Sequence, residues 1–207
     1  LGDLRPVRRA QLLSGEVGER LSPSDRVLIA ALVDAHERAG TMSELMPLQK
    51  WLWRGAQAVS FHQQAEARFS QWWLQRDCQI LQPLQTLLRE QPGRYHTLCE
   101  IGCGSGLVLA DIAAKFGDPG ELQKFIGLDL SAEQTALNRQ RFHDAKLRFE
   151  SGDATEWIPR QARAGWLYLT VAGVLEYFDE ASLRRLLLTI AQSAAPAGFG
   201  LIEPLPD

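Results

Sequence analysis

The chain has 207 residues and a net charge of −3, with 45% hydrophobic and 23% charged residues, which bounds it to one or two domains of ordinary globular composition. No apolar run approaches the ~18 residues of a membrane span, and the first ten residues lack the apolar stretch of a signal peptide. There are 12 basic and 10 acidic residues before Tyr95, and 10 and 15 from there on, so neither half carries the basic footprint of a nucleic-acid binder.

Arg5, Arg8 and Arg9 read as a solvated basic cluster. Ser22-Pro23-Ser24-Asp25 is a helix start: serine caps, proline suits the first turn, and Asp25 takes the capping-box position. Leu28, Ala31, Leu32 and Ala35 then share one face, and Gly40 ends the run. A second helix begins at Pro47 and carries Trp51 and Leu52. A third is expected over 59–76, with Phe61, Ala65, Phe69, Trp72 and Trp73. A fourth begins near Pro83 and stops before Pro92-Gly93.

After Arg94 short apolar strands alternate with helices. Strands are expected over 97–101, 125–130, 147–149, 166–171 and 199–202, the last entered through a turn at 196–198. Helices are expected over 107–116, after the cap Ser131 with Gln134 at the capping-box position, and from Asp179. The last of these has Leu183, Leu186, Leu187 and Ile190 inward. This alternation predicts βαβ units and a parallel sheet with right-handed crossovers. The expected architecture is α/β, a Rossmann-like, doubly wound, mostly parallel sheet (95–207) preceded by a helical segment (1–94). Three cysteines, Cys78, Cys99 and Cys103, are odd in number and fit no zinc signature. No metal site is expected, and a reduced, cytoplasmic setting is.

The densest signal is Leu98-Cys99-Glu100-Ile101-Gly102-Cys103-Gly104-Ser105-Gly106, a buried strand running through glycines into a helix. Such a loop suits a nucleotide-like ligand at the carboxyl end of a parallel sheet. The dinucleotide fingerprint would need a third glycine where Leu107 stands, and a P-loop needs Gly-Lys-Ser/Thr where Gly106-Leu107-Val108 stands. Both phosphate readings fail. Glu100 would repel a pyrophosphate but attract a cationic amino acid. Asp129 ends the second strand, where an acid binds ribose hydroxyls. Asp153-Ala154 follows the third strand, where a carboxylate accepts from an adenine amino group.

Residues 97 to 207 resemble the class I S-adenosylmethionine (SAM)-dependent methyltransferase family. Thr97 to Gly106 looks like its first motif, and Phe125 to Leu130 its second. Ser151-Gly152-Asp153-Ala154 is similar to its adenine motif. The segments from Gly173 to Phe178 and from Gly200 to Pro204 resemble those after strand four and at strand five. The resemblance implies SAM as cofactor, held by Glu100, Gly102, Cys103, Gly104, Gly106, Asp129, Leu130, Asp153, Ala154 and Val171. It also implies further strands after Asp207, so the chain reads as part of a longer gene product. The Asn-Pro-Pro-Tyr box of nucleic-acid amino methyltransferases is replaced near Val171-Ala172, which argues against base amines as acceptors.

No residue is assigned as catalytic. His62 is the first candidate base, ahead of His36, His96 and His143, but a lone helical histidine is more often on the surface. Trp51, Trp53, Phe61, Phe69, Trp72 and Trp73 suggest an aromatic cage, yet helical spacing favours core packing. Adjacent Trp72 and Trp73 cannot share a helix face, so one is expected near solvent. Glu176, Tyr177 and Glu203 lie near the expected methyl-donor pocket. The expected function is methyl transfer to a small-molecule acceptor at O or N, with no nucleic-acid or membrane partner. The alternatives are a protein or carrier-tethered acceptor, a non-catalytic SAM-binding scaffold and, least favoured, an NAD-dependent oxidoreductase.

Overall fold

The structure is a computed structural model that describes residues 5–17, 21–117, 122–171, 173–192 and 197–202. The expected turn at Pro196, Ala172 and Glu203-Pro204 lie outside the described residues, as does the side chain of Cys78. Four helices come first: α1 (Arg5–Ser14), α2 (Pro23–Ala39), α3 (Met46–Arg54) and α4 (Ala56–Glu90). At the start of α2, Ser22 Oγ accepts from the Asp25 N–H while the Asp25 carboxylate accepts from the Ser22 N–H. This reciprocal capping box is the one the sequence predicts. Gly40, left-handed at φ 66°, closes the helix.

Arg8 does not belong to a solvated cluster. Its guanidinium donates twice to the buried Asp25, at 2.7 and 2.8 Å, and together with the Ser22 N–H it holds that carboxyl well below the usual range. The pair also fixes the rotation of α2. Its buried side chains are Asp25, Leu32 and His36, with His36 Nδ1 2.9 Å from Thr41 Oγ1. Ala31 and Ala35, expected inside, are therefore turned outward. Leu12, Leu32, Leu45 and Leu48 form a small core among α1, α2, α3 and the intervening turn.

The separate helices expected over 59–76 and from Pro83 are one helix of 35 residues. Pro83 removes one N–H donor and ordinarily kinks or ends a helix. Here both flanks pack on one surface: Trp73 before it, and Leu84, Leu87 and Leu88 after it, join a single apolar cluster with β1 and β4. Burial on both sides outweighs one lost hydrogen bond.

The strands are β1 (Thr97–Ile101), β2 (Lys124–Asp129), β3 (Leu147–Ser151), β4 (Trp166–Val171) and β5 (Gly198–Ile202). All pair in parallel, in the order β3-β2-β1-β4-β5. The helices between and after them are α5 (Leu107–Phe116), α6 (Ala132–Arg141), α7 (Ala154–Gln161) and α8 (Glu180–Gln192). Strand side chains alternate between two cores. Leu98, Phe125 and Leu167 meet α4 and α5, whereas Cys99, Ile126 and Tyr168 meet α7 and α8.

Helix α7 was not expected. It has only eight residues and carries Pro159, so its sequence signal is short, and packing of Ala154 and Ile158 under the sheet holds it. In α8 the buried side chains are Leu186 and Ile190, while Leu187 is exposed. A helix ~100° per residue cannot turn both Leu186 and Leu187 inward. Ser131 caps α6 by accepting from the Gln134 N–H. The Gln134 side chain does not return the bond but donates to Asn138. Among the described residues no helix is long and apolar enough to cross a membrane.

Candidate functional site

The chain runs outward from β1 to β3 and then returns to β4 on the other side of β1. The crevice between β1 and β4 is thus the switch point where ligands of open parallel sheets bind. Gly102 leaves β1 at φ 71°, and a Cβ there would stand 2.6 Å from Val174, just after β4. Backbone bonds dock the loop on its neighbour: the N–H groups of Gly102 and Cys103 both donate to Leu128 O. The Gly104 N–H donates to Asp129 Oδ2 at 2.9 Å, and Asn138 Nδ2 donates to Gly104 O at 2.7 Å. Gly106, at φ 73°, begins α5.

Three carboxylates surround this loop, two with their pKa raised by burial and one held low. Glu100 is 2% exposed, and its Oε2 has no hydrogen-bond partner. Burial drives its pKa well above the usual range, helped by nearby Asp129 and opposed by the Leu109 N–H. An orphaned carboxylate oxygen at the mouth of a glycine loop fits a cationic ligand group. Asp129 is also raised by burial, against the N–H groups of Ser131 and Gly104 and the neighbouring His62. Burial opposes the charge on Asp153 too, but Lys50 and Thr155 prevail and hold its pKa low. Its Oδ1 accepts from the N–H and Oγ1 of Thr155, capping α7, and its Oδ2 accepts from Lys50 Nζ at 2.8 Å. The sequence reading of Asp153 missed both the cap and Lys50, which lies 103 residues away.

A cavity of about 260 Å³ opens over the loop. Glu100, Gly102, Cys103, Gly104, Asp129 and Leu130 line it, and so do Asp153, Ala154 and Val171. Gly106 is the exception among the expected residues. It faces away from the cavity, and a Cβ there would stand 2.7 Å from the Phe149 ring. It serves close packing under the loop rather than the ligand wall. The Cys103 thiol is pushed up by burial, so at neutral pH it is a neutral wall group.

The opposite wall corrects two expectations. His62 is half-buried rather than on the surface, with ring atoms 2.7–3.3 Å from where a Gly104 Cβ would stand. Burial lowers its pKa, against the pull of Asp129. Phe61, Ala65 and Phe69, one stripe of α4, line the cavity, joined by Trp53 from α3, and Phe69 also packs against the core cluster, as its helical spacing favours. The stripe has helical spacing because its cavity-facing surface is a helix face, so spacing alone did not separate wall from core. Trp73 is buried and donates Nε1–H to Asp111. Trp72 is half-buried and stacks on Phe69 rather than facing solvent. Tyr177 lines the cavity, whereas Glu176 is exposed. His36 and His96 are engaged in local hydrogen bonds, and His143 is exposed.

Comparison with known proteins finds similarity over the region of the parallel sheet. Residues 98–198 match the family described as "Methyltransferase domain". A protein of Pseudomonas putida named a probable fatty acid methyltransferase is 30% identical over 146 residues, which are 62% of this chain and 34% of that protein. The chain therefore spans about a third of the length of this curated relative. Among solved structures, an S-adenosylmethionine-dependent methyltransferase from Mesorhizobium loti is similar at 24% identity and a TM-score of 0.41, over 56% of this chain and 50% of that one. An amino pentose methyltransferase from Micromonospora echinaspora, solved with SAM, is similar at 20% identity and a TM-score of 0.44, over 56% and 45%.

Proposed function

With residues 98–198 belonging to the class I SAM-dependent methyltransferase family, we propose that the chain transfers a methyl group from SAM to a small-molecule acceptor held between the sheet and the N-terminal helices. The observation that carries the reading is the unpartnered Glu100 Oε2, buried in a cavity wall beside a loop of left-handed glycines. When bound, SAM supplies a methyl on a positively charged sulfur, already activated for displacement.

The chain's own groups divide the remaining work. Glu100 receives an ammonium. Asp129, anchored by Gly104 and Ser131, accepts from ribose hydroxyls. Ala154 and Leu130 flank the adenine, and Asp153 accepts from its amino group on the lone pairs that Lys50 and Thr155 leave open. Helices α3 and α4 cover the acceptor and exclude water, and holding the reactants in line is worth ~7–11 kcal/mol. His62, whose charged form burial disfavours, takes a proton from an acceptor too weakly nucleophilic to react in its neutral form.

Calorimetric titration with SAM, S-adenosylhomocysteine and NAD tests this. Micromolar binding of both sulfur ligands and none of NAD is expected. Folded protein that binds neither sulfur ligand would overturn the SAM-binding reading and the proposed methyl transfer with it.

A further inference from the structure

We infer that the methyl acceptor is uncharged and largely apolar, lodged against an aromatic wall of Trp53, Phe61, Phe69 and Tyr177. This rests on the methyltransferase reading above and names the substrate class of the same site. The argument comes from how charge and aromatic surface divide around the cavity.

Four carboxylates line the cavity: Glu66, Glu100, Asp129 and Asp153. Two are already matched. Arg141 donates twice to Glu66 at 2.8 Å, and Lys50 Nζ sits 2.8 Å from Asp153. Among the described lining residues, Lys50 is the one with a permanent positive charge. Arg54 is the second cation near Asp153, at 3.9 Å; a carboxylate or phosphate on the acceptor would add a like charge to Asp129 with no further protein cation among the described lining residues to meet it. In a partly dewatered site that repulsion is not screened away. An amine must likewise be in its neutral form to attack, because its protonated form has no lone pair.

The aromatic wall supplies the positive side of the argument. Trp53 meets Phe61 edge to face at 5.3 Å and Tyr177 likewise at 5.3 Å. It thus ties α3, α4 and the turn after β4 into one surface. Edge-to-face contacts fix these rings in place. Phe69 is backed by the stacked Trp72. Phe61 is 55% exposed although it lines the cavity, so the apolar wall runs from the interior to the rim. A flat or chain-like apolar molecule buries this surface; a small polar one leaves it wet.

The test uses matched probes on protein saturated with S-adenosylhomocysteine: 1-naphthol and 1-decanol against 1-naphthyl phosphate and decyl phosphate, titrated calorimetrically. Each neutral probe is expected to bind at least about tenfold more tightly than its phosphate. Phe61→Ala, at an exposed position that does not threaten folding, should weaken the neutral probes about tenfold while leaving S-adenosylhomocysteine affinity unchanged. Phosphates that bind as well as or better than the neutral probes overturn the inference, and their loss in Lys50→Gln would show which cation recruits them. Neutral binding unaffected by Phe61→Ala overturns the wall assignment. The two readings fail separately. If S-adenosylhomocysteine does not bind, the methyltransferase reading falls and takes this inference with it. If it binds and the neutral preference is absent, only the acceptor class is wrong.

Discussion

Around the cavity, β1 and its following loop contribute mainly backbone, left-handed glycines and N–H groups, with the one carboxylate of Glu100, all within a short stretch of chain. Helices α3 and α4 contribute side chains instead, with Lys50, Trp53, Phe61, His62 and Phe69 drawn from helix faces. The first arrangement tolerates little substitution, because each glycine φ and each approach distance is fixed by the strands beneath it. The second tolerates more, because a helix face keeps its geometry when one ring is replaced. Different sensitivities to mutation are therefore expected at the two ends.

The largest effect should follow Gly104→Val. Gly104 sits at φ 48°, and a Cβ there would meet the His62 ring at 2.7 Å. Strain and clash together should abolish SAM binding; a folded variant that still binds normally would break the loop assignment. Glu100→Gln comes next and should act in opposite directions on binding and stability. Loss of the charge should weaken SAM by about 2 kcal/mol or more. The ligand-free protein should become more stable, because the folded-state pKa of Glu100 is raised. A raised carboxyl favours the fold below the usual carboxylate range and loses that contribution as pH rises through the folded value. The melting advantage of the variant should therefore grow as pH rises above the usual value of ~4.3. A constant difference above that value would contradict the assigned state of Glu100.

Asp129→Ala should cost ~1–3 kcal/mol of SAM affinity. Because Asp129 also accepts from Gly104 and Ser131, thermal stability should fall too. Unchanged calorimetric affinity would remove its ribose role and leave only the bracing one. The smallest effect is expected far from the cavity. Asp25→Ala removes the α2 capping box and the anchor of Arg8, at about 1–2 kcal/mol of stability, with SAM affinity unaltered. The Asp25 carboxyl is held low in the fold. Its contribution is present above the usual carboxylate range and fades as pH falls below it, so the wild-type and variant melting curves should converge in acid.

The glycine loop and the parallel sheet were legible because their causes are local. A strand of five buried residues, Thr97–Ile101, followed by three spaced glycines admits few backbone paths. The capping box at Ser22 was readable for the same reason. Helix α7 was not, since eight residues with an internal proline give little periodic signal. Pro83 was over-read as a helix boundary, because the packing that carries α4 across it comes from strands distant in sequence.

By itself, then, the sequence determined the glycine-loop end of the cavity: the order of elements, the glycine turn, and the acids Glu100, Asp129 and Asp153 at or just after successive strand ends. Those positions follow from backbone sterics and from the rule that parallel strands point their carboxyl ends the same way. Only the tertiary structure decided what faces them. It seated Lys50 on Asp153, laid His62 over Gly104, and made a cavity wall of an aromatic stripe that a helix could equally have buried in a core. Helical periodicity states which side chains share a face; what that face meets is set by contacts across the fold, which no local pattern encodes.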